Sequence, residues 1–130
     1  MSENDDNPEL QEAELSETEA TQAFVMWVEV MIHDLESVPD ESTHQYWCRE
    51  WWRHPEAVSR LSALYEAYGE AETDRALSAW WTQHWDSHAR VLLSKVGPFK
   101  DCQREHRFLE RKEKYTPRLF TTSPPPDWTP

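Results

Sequence analysis

Apolar side chains recur at intervals of three and four residues along three stretches of the chain, the spacing of one buried face on an α-helix. The first stretch predicts a helix over about residues 21–36, with Phe24, Trp27, Val28, Met31 and Leu35 on its inner face. The second predicts a helix over about 55–71, with Val58, Leu61, Leu64, Tyr65 and Tyr68 inside. Pro55 supports that start, because a proline in the first helical turn loses no hydrogen bond.

The third stretch has the longest regular apolar pattern and predicts a third helix. Thr73 or Asp74 can cap this helix, and Gly97-Pro98 ends it. Its predicted buried stripe is Leu77, Trp80, Trp81, His84, His88, Val91 and Leu92. Two shorter helices are expected, one in the aromatic segment 46–52 and one over about 100–112, where Cys102, His106 and Leu109 share a side.

The two ends of the chain have a different character. Residues 1–20 contain eight acidic side chains and no Lys or Arg, so they bury too little apolar surface to offset the entropy of ordering. We expect a disordered acidic tail there. Residues 116–130 are rich in proline and are expected to be extended. The predicted domain therefore spans residues 21–115, as an all-α bundle of three main helices plus one or two short ones.

Composition adds that this core is aromatic. The 130 residues include eight tryptophans and four tyrosines, and each buried aromatic side chain removes roughly 150–250 Å² from water. A core of this kind compensates for the small number of aliphatic side chains.

Charge restricts the class of partner. The formal net charge is −12, whereas duplex-binding proteins neutralise phosphates with clustered Lys and Arg. Direct nucleic-acid binding is therefore disfavoured. No run approaches the ~18 apolar residues that span a bilayer, and no secretory signal is recognisable, which predicts a cytoplasmic protein without membrane contact. No motif identifies a small-molecule substrate.

The two cysteines and two of the histidines suggest a zinc site. Thiolate and imidazole are the ligands that zinc prefers, and Cys102 and His106 lie one helical turn apart. Cys48 and His54 would complete the set of Cys48, His54, Cys102 and His106. The spacing is not that of a zinc knuckle, because the chain has no Cys-x-x-Cys string. The favoured interpretation is therefore that no cofactor is bound, that both thiols are small core side chains and that the histidines form hydrogen bonds at the edge of the core.

A histidine-based enzyme is a second hypothesis, with a pocket near His54, His84 and His88. Asp86 lies between His84 and His88 in sequence, but helical residues two apart do not face each other. The chain also lacks a glycine-rich phosphate loop and a nucleophile elbow. An enzymatic role is therefore less favoured than a binding role.

The tryptophans suggest a binding pocket or interaction face. Neighbouring helical side chains point about 100° apart, so one member of the pair Trp51-Trp52 and one of Trp80-Trp81 must leave the deepest core. An exposed Trp is a frequent anchor at protein interfaces. The candidate binding residues are Trp47, Trp51, Trp52, His54, Trp80, Trp81, His84, Asp86 and His88. The competing interpretation is that the indoles only fill the core.

Several strings resemble one family over about residues 24–128. They are Trp47-Cys48, Trp51-Trp52-x-His54-Pro55-Glu56-Ala57-Val58, Trp80-Trp81-x-x-His84-x-Asp86-x-His88, Gly97-Pro98-Phe99-x-x-Cys102 and a final Pro-Pro-x-Trp. The chain resembles the domain-of-unknown-function family 4913, of actinobacteria, their plasmids and their phages. The resemblance implies an accessory protein of a mobile genetic element and no known activity. The leading hypothesis is a non-enzymatic protein that acts through protein–protein contacts.

Overall fold

The computed structural model describes residues 8–36, 46–102 and 119–130, with side chains from residue 16 onward in the first range. Helix α1 spans Pro8–Asp34, and a 3₁₀ turn at Trp51–Arg53 leads into α2, Pro55–Glu70. Helix α3 (Asp74–Ala79), a π-helical segment (Trp80–Trp85) and α4 (Asp86–Leu92) follow without a break. We call these three together the composite helix. The described ranges contain no β-strand, which confirms the all-α class.

Helix α1 begins earlier than its apolar pattern predicts. It starts at Pro8 rather than near Thr21, so residues 8–20, expected as part of the acidic tail, continue the backbone of this helix. The reason is intrinsic propensity: this segment is rich in Glu, Ala, Gln and Leu, and acidic residues near a helix N-terminus interact favourably with its dipole. Residues 16–20 are exposed, so the extension follows local preference rather than core packing.

The core lies between α1, α2 and the composite helix. From α1 it receives Phe24, Val28, Ile32 and Leu35, and α2 supplies Ala57, Leu61 and Leu64. The buried faces of α1 and α2 are close to the predicted ones. Ile32 of α1 and Ala57 of α2 are buried as well, although neither was predicted. The core is Trp-rich as expected, because Trp47, Trp51 and Trp80 are almost completely buried.

The composite helix buries a different stripe from the predicted one. Trp85 is buried in place of His84, which is exposed, and Val91 is exposed as well. The prediction assumed uniform α-helical spacing, whereas a π turn closes on i+5 and contains one extra residue. The position that faces the core after Trp80 therefore moves from 84 to 85, and the Trp80 and Trp85 rings stack with centroids 6.2 Å apart.

The described part of the C-terminal segment, residues 119–130, lies on the domain and contains no helix. The indole N–H groups of Trp47 and Trp52 donate to the carbonyl oxygens of Phe120 and Thr122, each at 2.8 Å. The Thr122 N–H donates to the Arg49 carbonyl oxygen at 2.9 Å. These hydrogen bonds hold residues 120–122 against the aromatic loop, whereas residues 126–127 form a turn in which the Trp128 N–H donates to the Pro125 carbonyl oxygen at 3.0 Å.

The two short helices differ from expectation. The aromatic segment forms only the 3₁₀ turn Trp51–Arg53, and residues 97–102 form successive turns where a helix was expected from about 100. The remainder of that predicted helix, including His106, lies outside the described residues. None of the described helices offers a stretch that is both long and apolar enough to cross a lipid bilayer.

Candidate functional site

Three of the four predicted zinc ligands lie together. One ligand atom from each of Cys48, His54 and Cys102 falls within 4.8 Å of the others, and Cys102 Sγ is 3.5 Å from His54 Nε2. Cys48 is buried, whereas His54 and Cys102 are half-buried. The fourth predicted ligand, His106, lies outside the described residues.

Local structure explains how each of these side chains is held. The loop that carries Cys48 is attached to the end of the composite helix, because the Tyr46 N–H donates to the Leu93 carbonyl oxygen at 3.0 Å. His54 is the N-cap residue of α2, and its imidazole makes no capping hydrogen bond. The Cys102 N–H donates to the Phe99 carbonyl oxygen at 3.0 Å, which closes the turn that presents its thiol.

One buried phenyl ring forms a wall of this cluster. The Phe99 ring is fully buried and meets the His54 imidazole edge-on with ring centroids 4.9 Å apart. The Trp47 indole meets the same phenyl ring at 5.0 Å. The cluster is therefore bordered on one side by aromatic carbon rather than by water.

The tight turn before Cys102 requires glycine at position 97. An added Cβ at Gly97 would overlap the Val91 carbonyl oxygen and lie 3.2 Å from the Leu92 carbonyl oxygen. The close approach of these backbones directs the chain from α4 back towards Phe99 and Cys102.

Each adjacent tryptophan pair divides between core and surface. Trp51 and Trp80 are buried, Trp52 is half-buried, and Trp81 is 38% exposed. Trp80 and Trp81 meet at 5.0 Å, and Trp80 also meets Trp27 of α1. The indoles predicted as one pocket thus extend through the core, and the Trp81 indole reaches solvent.

His84, Asp86 and His88 lie on the composite helix in different environments. His84 and Asp86 are exposed, while His88 is half-buried. His88 Nδ1 is 3.1 Å from an Arg60 guanidinium nitrogen; since guanidinium can only donate, Nδ1 accepts. The pKa of His88 is lowered from 6.5 chiefly by burial, and also by the positive charges of Arg60 and His84. His54 instead contacts Cys102 and Phe99.

Two grooves, one mainly apolar and one of mixed polarity, meet at Trp81. One has a volume of about 310 Å³ and is lined by Trp27, Val30, Met31, Asp34, Leu35, Tyr68, Leu77 and Trp81. The other has a volume of about 460 Å³ and is lined by Asp34, Leu35, Glu36, Trp81, Trp85, Asp86, Ala89, Arg90 and Leu93. We call the two grooves together the Trp81 surface.

Comparison with protein-family models shows the family to which this chain belongs. The family model described as a domain of unknown function, DUF4913, matches residues 21–121. The chain belongs to this family. The matched region contains Cys48, His54 and Cys102 as well as Trp81, but not Trp128. Comparison with curated proteins and with solved structures gave no match.

Sequence reasoning missed part of the surface in this member of the DUF4913 family. Val30 and Tyr68 are 55% and 40% exposed and line the first groove, yet neither was a candidate binding residue. The sequence could have indicated Val30, because this residue is apolar but falls outside the predicted buried stripe of α1. No such indication existed in the sequence for Tyr68, because its position fits the inner face of α2 and it is exposed only because it lies near the end of that helix.

Proposed function

We propose that this domain is a non-enzymatic binding protein that recognises a partner protein through the Trp81 surface. The observation that carries the proposal is the half-exposed indole of Trp81 at the junction of a mainly apolar groove and a groove with charged sides. Tryptophan gives an interface much buried area for little lost side-chain freedom, which is why it is frequent among binding hot spots.

Charge around the grooves indicates the chemistry of the partner. Among the described residues, Asp34, Glu36 and Asp86 line the Trp81 surface together with one cation, Arg90. This excess of carboxylates favours a segment that combines apolar anchors with Lys or Arg side chains, because complementary charge steers association. A nucleic-acid partner would be repelled by the same carboxylates.

The side-chain chemistry supports binding over catalysis. The pKa of His88 is lowered by burial and by the nearby Arg60, but its Nδ1 already accepts a hydrogen bond from Arg60. Arg60 is in turn paired with Glu56 at 3.0 Å. His88 thus belongs to a link between helices. The biological setting that we propose, an accessory role in a mobile genetic element, is supported by the family resemblance alone.

The test is quantitative affinity purification from the host with wild-type protein and Trp81→Ala. Removing an interface anchor is expected to weaken capture of the specific partner by about tenfold or more. Val96→Ala is the matched control, because Val96 is 77% exposed and lines neither groove of the Trp81 surface. Circular dichroism and thermal unfolding verify that each variant is folded.

A partner retained equally by wild type, Trp81→Ala and Val96→Ala would contradict the assignment of the surface. Absence of any protein enriched over a bead-only control would contradict the binding function itself.

A further inference from the structure

We propose that Cys48, His54 and Cys102 bind a zinc ion that joins three separate parts of the fold. Cys48 lies in the loop before the 3₁₀ turn, His54 at the start of α2, and Cys102 in the turns that follow α4. The inference is independent of the partner-binding function, because it rests on the geometry of this cluster alone.

The distances agree with tetrahedral coordination. With Zn–S of about 2.3 Å and Zn–N of about 2.0–2.1 Å, a tetrahedral angle places sulfur and nitrogen about 3.5 Å apart. The separation between Cys102 Sγ and His54 Nε2 is 3.5 Å. Two thiolates on the same ion lie about 3.8 Å apart by the same construction, within the 4.8 Å that encloses all three ligand atoms.

The type and setting of the ligands favour zinc over the hard cations magnesium and calcium. Two sulfur atoms and an imidazole nitrogen are too soft a set for magnesium or calcium, which bind oxygen. Cys48 is only 3% exposed, and Phe99 shields one side of His54. Because zinc has no redox chemistry, binding requires only that each thiol releases its proton to solvent.

A zinc bridge between these positions would have a structural effect. The ligands are 6 and 48 residues apart along the chain, so one ion ties the aromatic loop and the end of the composite helix to the start of α2. Small domains often use a metal in this way to supplement a limited core. The bound ion would therefore raise the stability of the whole domain.

Two other chemistries are consistent with close thiols and an imidazole. A thiol–imidazole hydrogen bond would hold Cys102 against His54 without metal, and oxidation could join Cys48 to Cys102, which are not joined by a disulfide here. Each alternative predicts a measurable difference from zinc binding, so one set of experiments distinguishes zinc binding, a thiol–imidazole hydrogen bond and a disulfide.

The first measurement is the metal content of the full-length chain, purified without an affinity tag and without chelator. We expect stoichiometric zinc in wild type and at least tenfold less in Cys48→Ser, Cys102→Ser and His54→Ala. His33→Ala is the matched control, since the His33 side chain is 79% exposed at the end of α1, and it is expected to retain the metal.

The second measurement does not depend on variants that may unfold. Wild-type protein stripped of metal and titrated with Co²⁺ is expected to show the visible absorption of a tetrahedral cobalt site and a thiolate-to-cobalt charge-transfer band. Excess Zn²⁺ should abolish both signals and raise the melting temperature by roughly 10 °C, because the metal binds only the folded state tightly.

The proposal is overturned if wild type carries no zinc and neither Co²⁺ nor Zn²⁺ produces these changes. In that case, a thiol–imidazole hydrogen bond remains. It is also overturned if freshly purified protein has an intact mass two hydrogens below the reduced value, restored by a reductant, since that result identifies a disulfide.

Discussion

The two glycines of the chain have opposite surroundings, and this contrast gives a matched pair of substitutions. A Cβ at Gly97 would overlap the carbonyl oxygen of Val91, whereas a Cβ at Gly69 would have no heavy atom within 4 Å. Gly97 thus permits a close backbone approach, while Gly69 lies in an exposed helical turn of α2.

We expect Gly97→Ala to lower the free energy of unfolding by about 1–3 kcal/mol, the range typical of single substitutions that force backbone movement. Gly69→Ala is expected to leave stability unchanged or to raise it by up to about 1 kcal/mol, because alanine is the better helix former. Urea unfolding followed by circular dichroism measures both. Equal effects of the two variants would show that the turn at residue 97 tolerates a side chain.

His88 gives the domain a pH-dependent contribution to stability. Its pKa is lowered in the folded state, mainly by burial and next by Arg60, so the unfolded chain binds more protons than the folded one just below pH 6.5. Stability from this residue is complete above about pH 6.5 and decreases as the pH falls through the lowered pKa. Protonation would also remove the Nδ1 acceptor used by Arg60.

Replacing His88 by Gln should therefore reduce the loss of stability between pH 7.5 and pH 5. A side-chain amide keeps a hydrogen-bond acceptor for Arg60 but does not titrate. The measurement is urea unfolding across this pH range, with His33→Gln at an exposed position as the control. A slope in His88→Gln as steep as that of wild type would assign the acid sensitivity to other groups.

The π-helical segment decides which residues of the composite helix face the core. Its extra residue allows Trp80 and Trp85 both to be buried, and Leu92 at the end of α4 and Leu93 directly after it are buried as well. A π turn is equivalent to an α-helix with one inserted residue. Removing one residue from this segment should thus leave the faces of α3 and α4 in place.

We expect deletion of the exposed Gln83 to yield a folded protein in which Trp80 and Trp85 become i and i+4 on a regular helix. Deletion of the exposed Ala63 from α2 is the control. That deletion rotates Leu64 away from Leu61 by about 100° and should reduce stability by more than about 3 kcal/mol, since large apolar side chains leave the core. Thermal unfolding monitored by circular dichroism compares the stability of the two deletion variants. A larger loss for the Gln83 deletion would contradict this account of the π segment.

The C-terminal segment completes the domain from a distant part of the chain. Leu119 is buried in the core, and Trp128 meets Trp51 edge-on with ring centroids 5.8 Å apart. Ser123 donates to the Glu29 carboxylate of α1 at 3.2 Å. The family match ends at residue 121, so the contacts of Trp128 lie beyond the matched region and extend the packed unit of this chain.

The amino-acid pattern alone determined the helical class, the inner faces of α1 and α2, and the identity of the candidate zinc ligands. These properties follow from local periodicity, from proline and capping residues, and from the chemistry of thiols and imidazoles. The early start of α1 was also encoded locally, in residues of high helix propensity. The prediction missed it because apolar periodicity reports burial, and the described side chains of this part, residues 16–20, are exposed.

Tertiary structure alone decided which side chains came together. The turn at Gly97 brings Cys102 to His54, and packing of the π segment against α2 selects Trp85 for the core in place of His84. The same packing leaves the Trp81 indole at the surface. Sequence periodicity cannot specify these outcomes, because one extra residue in a helical turn, or one close backbone approach, changes which face of a helix meets its neighbours.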